Sequence, residues 1–153
     1  MSSLLKKLNY KAQDRILVLG SPAEFEPFLS EFQEYLKIDL SPSPKIKYDF
    51  IITFSVMKKD LETALKKTSG AASEDCLYWF AYPKKTSKKY KSDLTRDEGW
   101  QKLGDLGYEG VRMIAIDDDW SAMRFKKADK IKTMKRNEKL AMSSAGKKRT
   151  RQG

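Results

Sequence analysis

The stretch Arg15–Leu29, RILVLGSPAEFEPFL, decides the fold. Ile16 to Leu19 form a continuous apolar run, the pattern of a strand buried on both faces of a parallel sheet. Gly20, Ser21 and Pro22 end it, and Phe25, Phe28, Leu29, Phe32, Tyr35 and Leu36 then recur at helical spacing to define one apolar face. Ser21 as N-cap, Pro22 in the first turn and Glu24 closing a capping box predict a helix from Pro22 onward. Strand, tight turn and amphipathic helix together open an α/β domain.

Working outward, KIDL (37–40) reads as a short strand, and SPSPKIK (41–47) is a turn-rich connector too short for a crossover helix. YDFIITF (48–54) is a second buried strand, after which Ser55 is placed to cap a helix with Val56, Leu61, Ala64 and Leu65 inward and Gly70 just past its end. CLYWFAY (76–82) is a third strand. A polar loop leads to a second capping box, Thr95 with Glu98, and a helix burying Trp100 and Leu103. A fourth strand covers about 110–116, and the turn DDD followed by WSAMRF reads as a hairpin that ends the sheet on an antiparallel strand. The expected fold is α/β: a single Rossmann-like three-layer domain over residues 1–126, its sheet mainly parallel with a C-terminal antiparallel hairpin. A basic extension over 127–153 follows, read as a short helix with Ile131, Met134 and Met142 inward and then a disordered end.

The 153 residues suffice for one packed core, and seven Phe, seven Tyr and three Trp supply it despite 34% charged residues. The net charge of +10 sits in the extension: Lys126 to Gly153 carry eleven Lys and Arg against two acids, while the rest of the chain is nearly neutral. The absence of histidine excludes Ser-His-Asp and Cys-His catalysis. With a single cysteine, Cys76, it also excludes a His/Cys zinc site and a disulfide framework. No metal site and no cofactor are therefore expected, and Cys76 reads as a buried small hydrophobe. No apolar run approaches the roughly 18 residues of a membrane span. MSSLLKKLNY lacks the marks of a signal peptide, so a cytoplasmic location without a membrane partner is expected.

Four places carry candidate chemistry. The opening junction has one glycine where a dinucleotide fingerprint needs three, and Glu24 would repel a phosphate from the helix start, so it reads as a capped turn. Asp39 stands near the distance of a ribose-binding acid but, without the glycines, reads as a surface Asp at a strand end. AYPKKTSKKYKSDLT (81–95) leaves the carboxyl end of a buried strand, where ligands bind in open α/β sheets. Lys84 and Lys85, with Thr86 and Ser87, can hold a phosphate or carboxylate there. The same segment also reads as a solvated loop with Asp93 and Thr95 only starting the next helix. In AIDDDWS, clustered carboxylates could bind Mg²⁺, but Asp is favoured in a hairpin turn for local reasons, and Trp100 and Trp120 read as core. In the extension, Lys135, Arg136, Lys139, Lys147, Lys148, Arg149 and Arg151 predict weak, salt-sensitive association with nucleic acid or another polyanion. With no aromatic residue there to stack on bases, an extension that only aids solubility fits them equally.

LNYKAQDRILVLGSP, YDFIITF, CLYWFAYPKKTS, SDLT and AIDDDWSAMRF together resemble an uncharacterised bacterial family, a domain of unknown function, over residues 8–126. The motif positions are Pro22, Asp49, Pro83, Lys84, Lys85, Asp93, Thr95, Asp117, Trp120, Ser121 and Phe125; the chain departs by Gly20-Ser21 in place of Asn-Ala and Tyr82 in place of Trp. That family looks like a shortened relative of the Rossmann-like methyltransferase fold without its glycine-rich cofactor loop. The resemblance implies the fold and a shared site, and no reaction.

Three functions are consistent with these residues. The first is a non-catalytic module binding an anionic partner, nucleic acid or ribonucleoprotein, through the crevice lysines and the tail. The alternative is an enzyme or sensor for a small anionic metabolite or nucleotide in the Pro83–Thr95 crevice, with Lys84 or Lys85 holding the anion and Asp117 orienting it. The third, a degenerate methyltransferase still holding S-adenosylmethionine, requires Asp39 and the opening turn to face one cleft. The ligand-binding candidates are Lys84, Lys85, Thr86, Asp93, Thr95, Asp117, Trp120 and Ser121; no catalytic residue is assigned and the oligomeric state is open.

Overall fold

The computed structural model describes residues 2–130. Strand β1 (Arg15–Leu19) lies between β2 (Lys37–Asp39) and β3 (Tyr48–Phe54), and β4 (Ala72–Pro83) pairs with β3, all four parallel. Strand β6 (Trp120–Lys127) runs antiparallel to both β4 and β5 (Tyr108–Ala115) and sits between them, so the order is β2-β1-β3-β4-β6-β5. The expected α/β three-layer architecture with a mainly parallel sheet and a C-terminal hairpin is therefore present. The antiparallel strand is not the sheet's edge, however: β5 takes that place.

Helices α1 (Ser3–Lys7) and α2 (Glu26–Phe32) cover one face of the sheet, packing Leu5, Phe25 and Phe32 on Ile16, Ile52 and Trp79. Helices α3 (Lys58–Thr68) and α4 (Gln101–Asp105) cover the other, packing Leu61, Trp100 and Leu103 on Ile51, Phe80 and Phe125. Both faces being covered is what makes the central strands continuously apolar. At the end of β1, Gly20 has φ of +73°, and a Cβ there would stand 3.2 Å from the Phe54 carbonyl oxygen, so both conformation and space favour glycine.

Several local expectations are corrected. The turn after β1 is a 3₁₀ turn over Ala23–Phe25 with no side-chain cap, and α2 begins only at Glu26. There is no Ser21–Glu24 capping box, because the Glu24 carboxylate reaches across the fold to Tyr90. Helix α2 ends at Phe32, which leaves Tyr35 half exposed. Ser55 does not cap α3. Its hydroxyl is buried without a hydrogen-bond partner, as is that of Thr53, and the helix start is closed by Asp60 on the Met57 N–H and by Asp93 on the Lys58 N–H. The Thr95 hydroxyl accepts the N–H groups of Asp97 and Glu98, but in a turn that precedes α4, not as its cap.

Helix α1 has no counterpart in the sequence reading. Ser2 caps it through the Leu4 and Leu5 N–H groups, Leu4, Leu5 and Leu8 are buried, and the fully buried Trp79 donates its indole N–H to the Leu8 carbonyl at 3.0 Å. At the other end, β6 runs through Lys127, and Ala128 is buried with its N–H on the Gly107 carbonyl. No helix among the described residues is long and apolar enough to cross a membrane. The helix expected around Ile131, Met134 and Met142 lies outside the described residues.

Candidate functional site

The chain reverses direction across the sheet between β1 and β3, since β2 lies on one side of β1 and β3 on the other. In open α/β sheets this switch point opens the crevice that ligands use. Here three segments meet over it. The turn after β1 supplies Glu24, the loop after β4 supplies Lys89 and Tyr90, and β6 supplies Trp120. Glu24 accepts the Tyr90 hydroxyl at 2.6 Å, the Trp120 indole N–H at 3.0 Å and the Lys89 ammonium at 3.0 Å. Partial burial alone would raise the Glu24 carboxyl, but the hydrogen bonds from Tyr90, Trp120 and Lys89 outweigh it and hold the group at about 2. The rings of Tyr90 and Trp120 meet edge to face at 5.0 Å, and Trp120 in turn meets Phe54 at 5.3 Å.

The loop that delivers Tyr90 is itself organised. The Ser87 hydroxyl donates to Asp119 and accepts the N–H groups of Lys89 and Tyr90, while the Lys84 N–H donates to the Asp119 carbonyl at 2.7 Å. Asp117 accepts the N–H groups of Asp119 and Trp120, which makes the acidic turn a closed local structure. At the far end of the loop, the Ser92 hydroxyl donates to the Val56 carbonyl and Asp93 caps α3. The loop is thus tied at both ends and in its middle.

On the opposite face of the sheet, that of α3 and α4, a pocket of about 430 Å³ opens at the end of β4. Lys84, Lys85 and Thr86 line it from the loop, Thr95 and Arg96 from the segment before α4, and Ser121 from β6. Its Tyr82 hydroxyl donates to the Met113 sulfur at 3.0 Å, and burial pushes that phenol up to about 12, so it stays protonated. Asp97 and Glu98 also border the pocket.

Of the eight ligand-binding candidates, Lys84, Lys85, Thr86, Thr95 and Ser121 share this pocket. Asp93, Asp117 and Trp120 do not line it: the first caps a helix, the second closes a turn, and Trp120, 2% exposed, projects to the other face. Asp39 is ion-paired to Arg15 at 2.6 Å and accepts the Tyr48 hydroxyl. Both partners come from the N-terminal ends of their strands, whereas Gly20 lies past the C-terminal end of β1. The residues that the sequence reading missed are Glu24 as an acceptor, Tyr90, and Arg96. No group of His, Cys, Asp and Glu able to hold a metal ion occurs among the described residues. The cationic candidates Lys135, Arg136, Lys139, Lys147, Lys148, Arg149 and Arg151 lie outside them.

No family model and no curated protein matches the chain. Solved structures do. A SAM-dependent methyltransferase from Aquifex aeolicus is 14% identical, with 80% of this chain and 86% of that one covered and a TM-score of 0.54. DhpI in complex with SAH is 11% identical, with 82% of each chain covered and a TM-score of 0.52. The Bacillus subtilis tRNA methyltransferase TrmK is 9% identical, with 92% and 74% covered and a TM-score of 0.50. At these identities the likeness establishes the fold: a Rossmann-like α/β sheet of the methyltransferase type. The expectation of a non-catalytic module reaching an anionic partner through its tail is corrected by this finding, because the fold is shared with methyltransferase enzymes.

Proposed function

We propose that the chain is an enzyme of methyltransferase-like fold acting on a small anionic metabolite or nucleotide bound in the pocket at the end of β4. The observation that carries this reading is the convergence of Lys84, Lys85 and Arg96 with the hydroxyls of Thr86, Thr95 and Ser121 around one cavity. Cations supply the attraction, and hydroxyls, which both donate and accept, fix orientation. Tyr82, held protonated with its O–H on the Met113 sulfur, lines the pocket as a neutral group. Asp117 accepts two turn N–H groups through Oδ1 and does not line the pocket, so this reading gives it no role in holding the ligand. The motif resemblance to a bacterial domain of unknown function supports the same loop, since Pro83, Lys84 and Lys85 are among its positions.

The Aquifex aeolicus enzyme is SAM-dependent and DhpI is in complex with SAH, which raises that cofactor for the residues present here. They do not fit it. The turn after β1 has a single glycine, spent on its approach to Phe54, and Pro22 lacks an N–H. The two carboxylates in question are occupied, Glu24 by Tyr90, Trp120 and Lys89, and Asp39 by Arg15 and Tyr48.

A thermal-shift screen of the full chain against nucleotides, phosphorylated metabolites and S-adenosylmethionine tests the reading. A stabilising nucleotide or phosphorylated compound whose effect is lost in Lys84→Ala/Lys85→Ala supports it. Silence across the screen, or stabilisation indifferent to those substitutions, overturns it. Stabilisation by S-adenosylmethionine alone would reinstate the cofactor.

A further inference from the structure

A second cationic feature lies on the face of the sheet opposite that pocket. Arg112 of β5 and Arg124 of β6 stand directly opposite each other in register, and Arg124 is also directly opposite Trp79 of β4. Both arginines project on the side of Ile114, Ala122 and Trp79, which pack under α1 and α2. Arg124 is partly buried and Arg112 is exposed. The end of α1 is close by, since Trp79 donates to the Leu8 carbonyl and the Lys7 ammonium to the Ala115 carbonyl.

Like charges facing each other across a sheet are destabilising, and arginine cannot escape by losing its proton. Burial and the neighbouring Arg112 both push the Arg124 guanidinium down, with no carboxylate acting in the other direction. Among the described residues neither guanidinium meets an acceptor. The acid nearest in register on this face is Glu109, opposite Lys126, and it is buried and has a partner of its own. Two forks of N–H donors thus share one rung, with Lys126 one rung further along and Lys7 at the end of α1.

We infer that Arg112 and Arg124 form a binding site for a phosphoryl group, inorganic phosphate or the phosphate of a small molecule. An anion with three exposed oxygens can accept from both forks at once, and a dianion cancels the charge of the pair. The site is independent of the Lys84–Lys85 pocket, and the failure of either leaves the other standing.

The test uses the full chain and melting curves in inorganic phosphate against chloride at equal ionic strength, with adenosine monophosphate as the arm that separates free phosphate from a phosphomonoester. Phosphate or the monophosphate should raise the wild-type midpoint by several degrees. In a Lys84→Ala/Lys85→Ala background, which silences the other pocket, a rise should remain, and Arg112→Gln or Arg124→Gln added to it should each abolish that rise. Because the glutamine variants relieve the repulsion, they should melt in chloride no lower than the wild type. Arg124→Lys, which keeps the charge and loses the fork, should retain only a fraction of the rise. A Lys84→Ala/Lys85→Ala chain indifferent to both anions overturns the site, as does a rise in that chain that survives both glutamine substitutions. Phosphorus-31 line broadening by wild-type chain, absent with Arg124→Gln, provides the same decision without reference to stability.

Discussion

The carboxylate of Glu24 accepts the hydroxyl of Tyr90 at 2.6 Å across sixty-six positions of sequence, joining the turn after β1 to the loop after β4. A hydrogen bond to a charged acceptor is stronger than a neutral one, and here it is one of three on the same carboxylate.

Acid should therefore act through Glu24. Its carboxyl is held at about 2 in the folded chain against an ordinary 4.5. A pKa depressed by folding contributes stability that is fully present above pH 4.5 and is lost as pH falls toward 2. Urea unfolding followed through that window should show a steep decline for the wild type and a shallower one for Glu24→Gln. Equal slopes would mean that Glu24 carries none of the acid sensitivity.

Tyr90→Phe removes one donor and keeps the ring against Trp120. The expected loss is about 1–3 kcal/mol, and combined with Glu24→Gln it should be markedly less than additive. Additive losses would show that the two side chains do not act together. Lys89, more than half exposed, should contribute little by comparison.

Asp93→Ala withdraws the carboxylate from the first turn of α3 and should cost about 1 kcal/mol. Hydrogen exchange should quicken at the Lys58 amide while amides in β3 stay protected. If exchange at Lys58 is unchanged, Asp93 is not its cap.

Leu5→Ala empties a fully buried position in α1 and should cost about 2–5 kcal/mol. The Trp79 indole, bonded to Leu8 three residues on, should report the change in its fluorescence. A loss below about 1 kcal/mol would show that α1 is dispensable to the core.

Gly20→Ala puts a Cβ against the Phe54 carbonyl at a left-handed backbone position and should destabilise by about 1 kcal/mol or more. Thermal unfolding measures it directly. A neutral outcome would mean that the turn relaxes without cost.

The strands were legible because burial on both faces writes itself as unbroken apolar runs such as Ile16–Leu19, and the hairpin because Asp117 to Asp119 separate two strand-like segments. Helix α1 was hidden because five residues are too few to show a period, and its three leucines find their meaning only against Trp79. Capping failed as a local rule where a distant side chain served better: Ser55 gave way to Asp93, thirty-five positions from Lys58. The lysine loop could be placed at a strand's end from sequence, which is why Lys84, Lys85 and Thr86 share a pocket with Ser121. That Glu24 and Tyr90 meet could not, since each looks like an ordinary surface residue until the sheet brings their loops together.

The position of β6 bears on how the chain folds while it is being made. When Pro83 emerges, β4 already has β3 on one side, but the strand that must lie on its other side is not yet synthesised. At roughly 5–20 residues per second that edge stays bare for a few seconds, a template for mispairing. Strand β5 emerges first and runs parallel to β4, yet belongs one place further out. The native order is reached most directly if β5 and β6 zip together before docking, which assigns the acidic turn at Asp117–Asp119 a timing role: the sooner it closes, the shorter the exposure.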